Sequence, residues 1–140
     1  MDSINSRPNI PDGDDMGLDY TPEVTASMSV KHLDESIEWY EKVLGFKLLY
    51  RVDDIGWCEL STSVPGVSVG LSENEHVARG GNATNVWGVS DIREAKAHLD
   101  SHDVRQDNGI QEIPGMVKLL TFYDPDGNCM MLAQSLANQG

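Results

Sequence analysis

Glu59 sits in a strand-like stretch beside Trp57, Cys58 and Leu60, where a carboxylate is not buried without a partner or a purpose. Facing a cleft it could act as a base or hold a cation; facing outward it is an ordinary edge-strand acid, and the stretch lacks the clean alternation that would decide. His98 and His102 stand four apart on a helical pattern, a spacing that can set two imidazoles side by side as metal ligands. The plain reading is two exposed polar residues next to Asp100 and Asp103. His32 and His76 read as a helix-start residue and a loop residue. Cys58 and Cys129 read as small buried hydrophobes; Cys129 could face a cleft, but no nearby His is evident to make it a nucleophile. Trp57, Trp87 and Tyr123 offer ring faces to a planar or cationic ligand, whereas Trp39 and Tyr40 suit helix packing. Trp87 has a second reading, under a helix.

The elements that must position these residues follow from hydrophobic period. Over 24–30, Val24, Ala26, Met28 and Val30 alternate with Thr25, Ser27 and Ser29, which predicts a strand with one buried face. Over 32–44, Leu33, Ile37, Tyr40, Val43 and Leu44 recur at three and four, with Asp34 and Glu35 in the first turn and Gly45 as the stop, which predicts a helix. Strands at 46–52, 57–61 and 67–72 follow, separated by Asp53-Asp54-Ile55-Gly56 and Val64-Pro65-Gly66. The order then restarts: a strand at 83–89, a helix from 91 to about 102 with Ile92, Ala95 and Leu99 on one face, and strands at 111–114, 117–124 and 128–134. Asp124-Pro125-Asp126-Gly127 dictates a tight turn before the last of them. Val30 to Ser36 laid over Val89 to Ala95 aligns strand end, helix start and first buried helix residue at an offset of 59, an internal repeat. The chain reads as α+β: an acidic N-terminal tail over 1–21, then one domain over 22–136 built from two βαβββ modules, at about 22–73 and 82–136, and a short tail at 137–140. Sheet faces not covered by helices can curl into an open half-barrel whose concave cleft is a natural ligand site.

The chain has 140 residues, 39% hydrophobic and 24% charged, a globular composition, and no apolar run approaches the ~18 residues of a membrane span. Its net charge is −13, so it offers no broad phosphate-neutralising surface, and nucleic acid is not an expected partner. Five acids against Arg7 over 1–20 leave −9 on the remainder, so the folded part is itself acidic. That balance favours neutral or cationic partners. With two cysteines and no basic and apolar leader, the expected location is the cytoplasm.

Two motifs carry a family likeness. Val30-x-His32-Leu33-x-x-Ser36-x-x-Trp39-Tyr40-x-x-Val43-Leu44-Gly45-Phe46 resembles the first-module signature of the glyoxalase, bleomycin-resistance and extradiol-dioxygenase superfamily, the vicinal oxygen chelate fold. Phe122-Tyr123-Asp124-Pro125-Asp126-Gly127-Asn128 is similar to its second-module signature, and the likeness spans about 22–135. His32 departs from the pattern, which often has Asp there, a change at a helix cap. The resemblance implies a paired βαβββ fold, commonly dimeric, and in the enzymes a divalent metal held by His, Glu or Gln. Carried over residue by residue, the four metal-ligand places are Thr25, Gly70, Thr84 and Met131. None is a usual ligand, since glycine has no side chain, a thioether is soft and a neutral hydroxyl is a weak donor. Their neighbours at a period of two are Ser27, Ser29, Ser68, Ser72, Val86, Gly88, Cys129 and Ala133, a cleft floor of small residues with room for an organic molecule.

The resulting expectation is a family member without the usual metal centre and without a cofactor, forming a homodimer. It binds a small organic molecule, cationic or aromatic, as in bleomycin-resistance-like sequestration. The expected cleft is Thr25, Ser27, Trp57, Glu59, Ser68, Gly70, Thr84, Val86, Tyr123, Cys129 and Met131. The rival is a glyoxalase-like lyase, isomerase or dioxygenase. It would use nonstandard metal donors such as Glu59 or Glu73, in a loop at 73–75 folded over the cleft, or metal-free acid and base chemistry by Glu59. A third reading is an auxiliary protein whose acidic tail docks a partner.

Overall fold

The alternation read over 24–30 becomes strand β1 (Val24–Val30), the first element of a computed structural model that describes residues 17–77 and 83–136. Residues 1–16 and 137–140, most of the expected tails, lie outside the described residues. Helix α1 (Leu33–Trp39) continues as one π-helical turn over Tyr40–Leu44, and Gly45, at φ 77°, ends it in the left-handed region that glycine enters without steric cost. The π turn widens the helix, and Tyr40 and Val43 are both buried. Strands β2 (Lys47–Val52), β3 (Trp57–Ser61) and β4 (Val67–Glu73) complete the first module. The second repeats the order with β5 (Asn85–Gly88), α2 (Ile92–Ser101), β6 (Gln106–Ile113), β7 (Val117–Tyr123) and β8 (Cys129–Ser135).

Each module forms a four-stranded mixed sheet, ordered β1-β4-β3-β2 and β5-β8-β7-β6. The first strand pairs in parallel with the last and the other pairings are antiparallel. Strand β6 is longer than the 111–114 read from sequence. Asn108-Gly109 has the composition of a turn, yet both residues take positive φ (57° and 67°) inside the strand, and the register with β7 shifts between Asp107 and Gln111. They make a bulge, which adds chain to one strand without ending it.

One hydrophobic core serves both modules. Val30, Cys58, Leu60, Val69 and Leu71 of the first sheet join Leu33, Ile37, Tyr40 and Val43, and with them Ile92, Leu99, Leu120, Phe122, Met130 and Leu132. Burying such a side chain stabilises the fold by about 1.5–3 kcal/mol. Polar ties reinforce the seam. The Tyr40 hydroxyl donates to Asp124 (2.6 Å), the Lys31 amide donates to Asp126 (3.2 Å), and the Asn128 side-chain amide donates to the Ser29 carbonyl (2.9 Å). Trp87 packs against this core, its ring centroid 5.4 Å from that of Phe46.

Candidate functional site

Because Cys58 and Leu60 turn into the core, Trp57 and Glu59 stand on the opposite face of the first sheet. The register sets Glu59 beside Gly70 and Tyr50, and Ser68 beside Thr25. Their side chains form one chain of hydrogen bonds. Trp57 Nε1 donates to the Tyr50 hydroxyl (3.2 Å), which donates to Glu59 (2.8 Å); Ser68 donates to the other Glu59 oxygen (2.5 Å), and its hydroxyl pairs with that of Thr25 (3.1 Å). The Trp57 ring lies across Gly70, where a β-carbon would fall 2.0 Å from Cη2. The hydrogen bonds from Ser68 and then Tyr50 hold the Glu59 carboxyl below its ordinary value. Glu59 is therefore an ionised acceptor with both oxygens engaged, a poor general base.

The second cluster lies where β1 of one module meets β5 of the other. A groove of about 500 Å³ there is lined by Ser27 and Met28, by Thr84 and Asn85, by Arg105 before β6, and by Tyr123 and Cys129 on neighbouring strands. The Arg105 guanidinium stands over the Tyr123 ring, 4.2 Å from its centroid, and the Tyr123 amide donates to the Arg105 carbonyl (3.0 Å). The Tyr123 hydroxyl donates to Asp107. That bond first, then desolvation and the Asp107 charge, pushes the phenol up to about 12, so it keeps its proton.

The residues expected to share one cleft thus divide. Ser27, Thr84, Tyr123 and Cys129 line the groove; Thr25, Trp57, Glu59, Ser68 and Gly70 make the network on the first sheet; Val86 and Met131 are register partners on the second. Arg105 and Asn85 were missed by the sequence reading. Asn85 carries no motif, and Arg105 stands outside the short strand read there; its sign, opposite to that of the chain, was the available signal. A smaller cavity of about 270 Å³ on the core side is lined by Phe46, Trp87, Leu99 and other largely apolar residues.

The residues do not fit the metal that the family resemblance implies. At Gly70 the Trp57 ring fills the space into which a ligand side chain would project, and Thr25 is bonded to Ser68. Glu73 does not fold over a cleft: its carboxylate accepts from the Leu33 amide (2.9 Å) and caps α1. His98 Nε2 lies 2.6 Å from the Val43 carbonyl, which makes it a proton donor there and not a lone-pair ligand. Among the described residues no group of three or more His, Cys, Asp or Glu could hold a metal ion.

A family model described as Glyoxalase/Bleomycin resistance protein/Dioxygenase superfamily matches residues 23–132. Several solved structures have the same fold. A member of that superfamily from Sphaerobacter thermophilus DSM 20745 superposes with a TM-score of 0.72 at 20% identity, covering 86% of this chain and 100% of the other. TioX from Micromonospora sp. ML1 gives 0.66 at 20%, covering 81% and 98%. The genomically encoded fosfomycin resistance protein FosX from Listeria monocytogenes gives 0.69 at 12%, covering 80% and 91%. No protein with a curated description matches the sequence significantly.

Proposed function

The chain belongs to the glyoxalase, bleomycin resistance protein and dioxygenase superfamily, and from that premise we propose that it binds a small organic molecule in the groove between β1 and β5. The observation that carries this reading is the groove itself. Its volume, about 500 Å³, is in the range of small-molecule sites, and both modules contribute walls. The Ser27 and Thr84 hydroxyls make no side-chain hydrogen bond among the described residues, and the Asn85 amide has only a 3.9 Å contact to the Met28 sulfur. Polar groups left free around an apolar floor of Met28, Ala83 and Cys129 are what orients a ligand that buries its body. The four family metal positions hold Thr25, Gly70, Thr84 and Met131, and no strong base lines the groove, so binding fits better than turnover. Sequestration in the manner of a resistance protein is the corresponding role, and one structural neighbour is itself a fosfomycin resistance protein. A homodimer belongs to this reading, because Val86, Ile113 and Met116 are exposed on or beside the second sheet.

The test is a thermal-shift screen of small aromatic and antibiotic-like natural products. A ligand that binds only the native state stabilises it by about 2.7 kcal/mol at a hundredfold excess over Kd. The expected result is a saturable shift, lost in Ser27→Trp, whose indole fills the groove, while the unliganded melting temperature of the variant stays near that of the parent. A screen without hits, or hits untouched by Ser27→Trp, overturns the proposal.

A further inference from the structure

We infer that the groove selects an organic oxyanion, a carboxylate or phosphate monoester on an apolar body, and that Arg105 is the residue that recognises it. This rests on the groove being the ligand site, and goes beyond it by naming the charge of the ligand. The chain as a whole is acidic, with a net charge of −13, and that balance alone favours a cation. The local lining points the other way. Among the described residues lining the groove, Arg105 is the only charged one.

Arg105 makes no ion pair among the described residues; its guanidinium lies over the face of Tyr123. The guanidinium carbon sits over the ring and its N–H groups make no hydrogen bond among the described residues, so the planar fork is open to a two-oxygen anion. Tyr123 is itself anchored, because its hydroxyl donates to Asp107. Asp107 thus has one carboxylate oxygen engaged by a donor, and Asp124, beyond Tyr123, already accepts from Tyr40, Asn128 and the Asp126 amide. The other free groups are the hydroxyls of Ser27 and Thr84 and the amide of Asn85, all able to donate, and no carboxylate competes with them. A site rich in donors with one unpaired cation rejects an ammonium and accepts an oxyanion.

The probes are four phenyl compounds of similar shape, benzoate, phenyl phosphate, benzamide and benzylamine, titrated against the full chain at low ionic strength by ligand-observed NMR. Benzoate or phenyl phosphate is expected to bind at least tenfold more tightly than benzamide and benzylamine, and the stronger of the two identifies the oxyanion. Arg105→Gln should remove that tenfold preference and leave benzamide unchanged, Arg105→Lys should keep part of it, and added salt should weaken oxyanion binding to the parent protein. The Arg105 side chain is exposed, so melting temperature is expected to be the same in all three proteins. The inference is overturned if the oxyanions bind no better than benzamide, or if Arg105→Gln leaves the preference intact. Should benzamide or benzylamine bind best and Ser27→Trp abolish that binding, the charge assignment falls while the groove remains a ligand site. Should no probe bind, and no compound in the wider screen respond to Ser27→Trp, both readings fall together.

Discussion

The two modules share one topology and differ in what they do with the sheet face that turns away from the core. In the first, Trp57 covers Gly70, and Tyr50, Glu59, Ser68 and Thr25 satisfy one another. That face is filled by its own side chains. In the second, Tyr123 is tied to Asp107, and Arg105 lies over its ring beside a groove where the Ser27 and Thr84 hydroxyls make no side-chain hydrogen bond among the described residues. The helix starts differ in a parallel way. Both are capped from the end of the last strand of their module, Leu33 by Glu73 (2.9 Å) and Ile92 by Gln134 (2.8 Å). Asp91 adds a cap of its own, accepting from the Arg93 and Glu94 amides (3.0 and 3.2 Å), whereas His32 makes no such bond. A duplicated scaffold can thus keep its packing rules in both halves while a few side chains close one half and leave the other available.

The largest expected effect breaks the comparison at the turn before the last strand. In the first module Thr62 organises that turn, accepting from the Val64 amide (3.1 Å) and donating to the Val67 carbonyl (2.7 Å). In the second the same place is held by Asp124, only 4% exposed, which accepts from the amides of Asp126 and Asn128, the Asn128 side chain and the Tyr40 hydroxyl. Asp124→Ala leaves several donors without an acceptor, one of them the buried Tyr40 hydroxyl on the π-helical turn of the other module, and is expected to cost about 3–5 kcal/mol. Thr62→Ala is expected to cost about 1 kcal/mol. Urea unfolding checks both; equal losses would mean that Asp124 does not tie the modules together.

Gly70→Leu tests whether the first face is closed by packing. A β-carbon there meets the Trp57 ring, so the ring must swing out and give up its bond to Tyr50. The expected cost is about 1–3 kcal/mol, with a red-shifted tryptophan emission as Trp57 enters water. Gly88, on β5 of the other module, has open space around a built β-carbon, and Gly88→Leu should leave the emission of Trp57 where it is.

Much of this was legible before the structure. The period of two over 24–30 and of three to four over 32–44 set the core face of β1 and α1, because burial acts on every repeat of the pattern. The offset of 59 between Val30 and Val89 exposed the duplication for the same reason. Boundaries failed where local chemistry was ambiguous: Asn108-Gly109 has the composition of a turn and serves as a bulge. The face of Glu59 became clear only once Cys58 and Leu60 were seen to be buried. The expected cleft merged two clusters, since strand parity tells which residues share a face but not which strands from different modules come together. Arg105 was invisible to that reasoning, because its setting depends on a ring 18 positions away.

The caps sharpen the comparison at a smaller scale. Asp91→Ala removes two bonds to orphan amides of α2 and should cost about 1 kcal/mol, while His32→Asp supplies the cap that α1 lacks and should gain about 0.5–1 kcal/mol. Thermal melting of both variants and of the double variant checks the pair. The two changes lie in different modules and share no hydrogen-bond partner, so they are expected to add.

The smallest effect separates the modules by pH. Glu59 has its carboxyl held below the ordinary value of 4.5 by Ser68 and Tyr50; the unfolded chain therefore takes up a proton first as acid is added. Its contribution to stability is present above pH 4.5 and is lost as pH falls through the folded value. Tyr123 behaves in the opposite sense. Its phenol rises from 10.0 to about 12, so the unfolded chain releases the proton first, and the contribution present below pH 10 is lost as pH rises toward 12. Both side chains are only partly buried, and water screening keeps each contribution small. The measurement is the difference in unfolding free energy between parent and variant across pH, which cancels the titration of all other groups. Glu59→Gln should shrink that difference only on the acid side, and Tyr123→Phe only on the alkaline side. A Glu59→Gln difference that stays flat through pH 4.5 would show that the network on the first sheet is not holding a charge, and the contrast between a closed face and an open one would then rest on Trp57 and Gly70 alone.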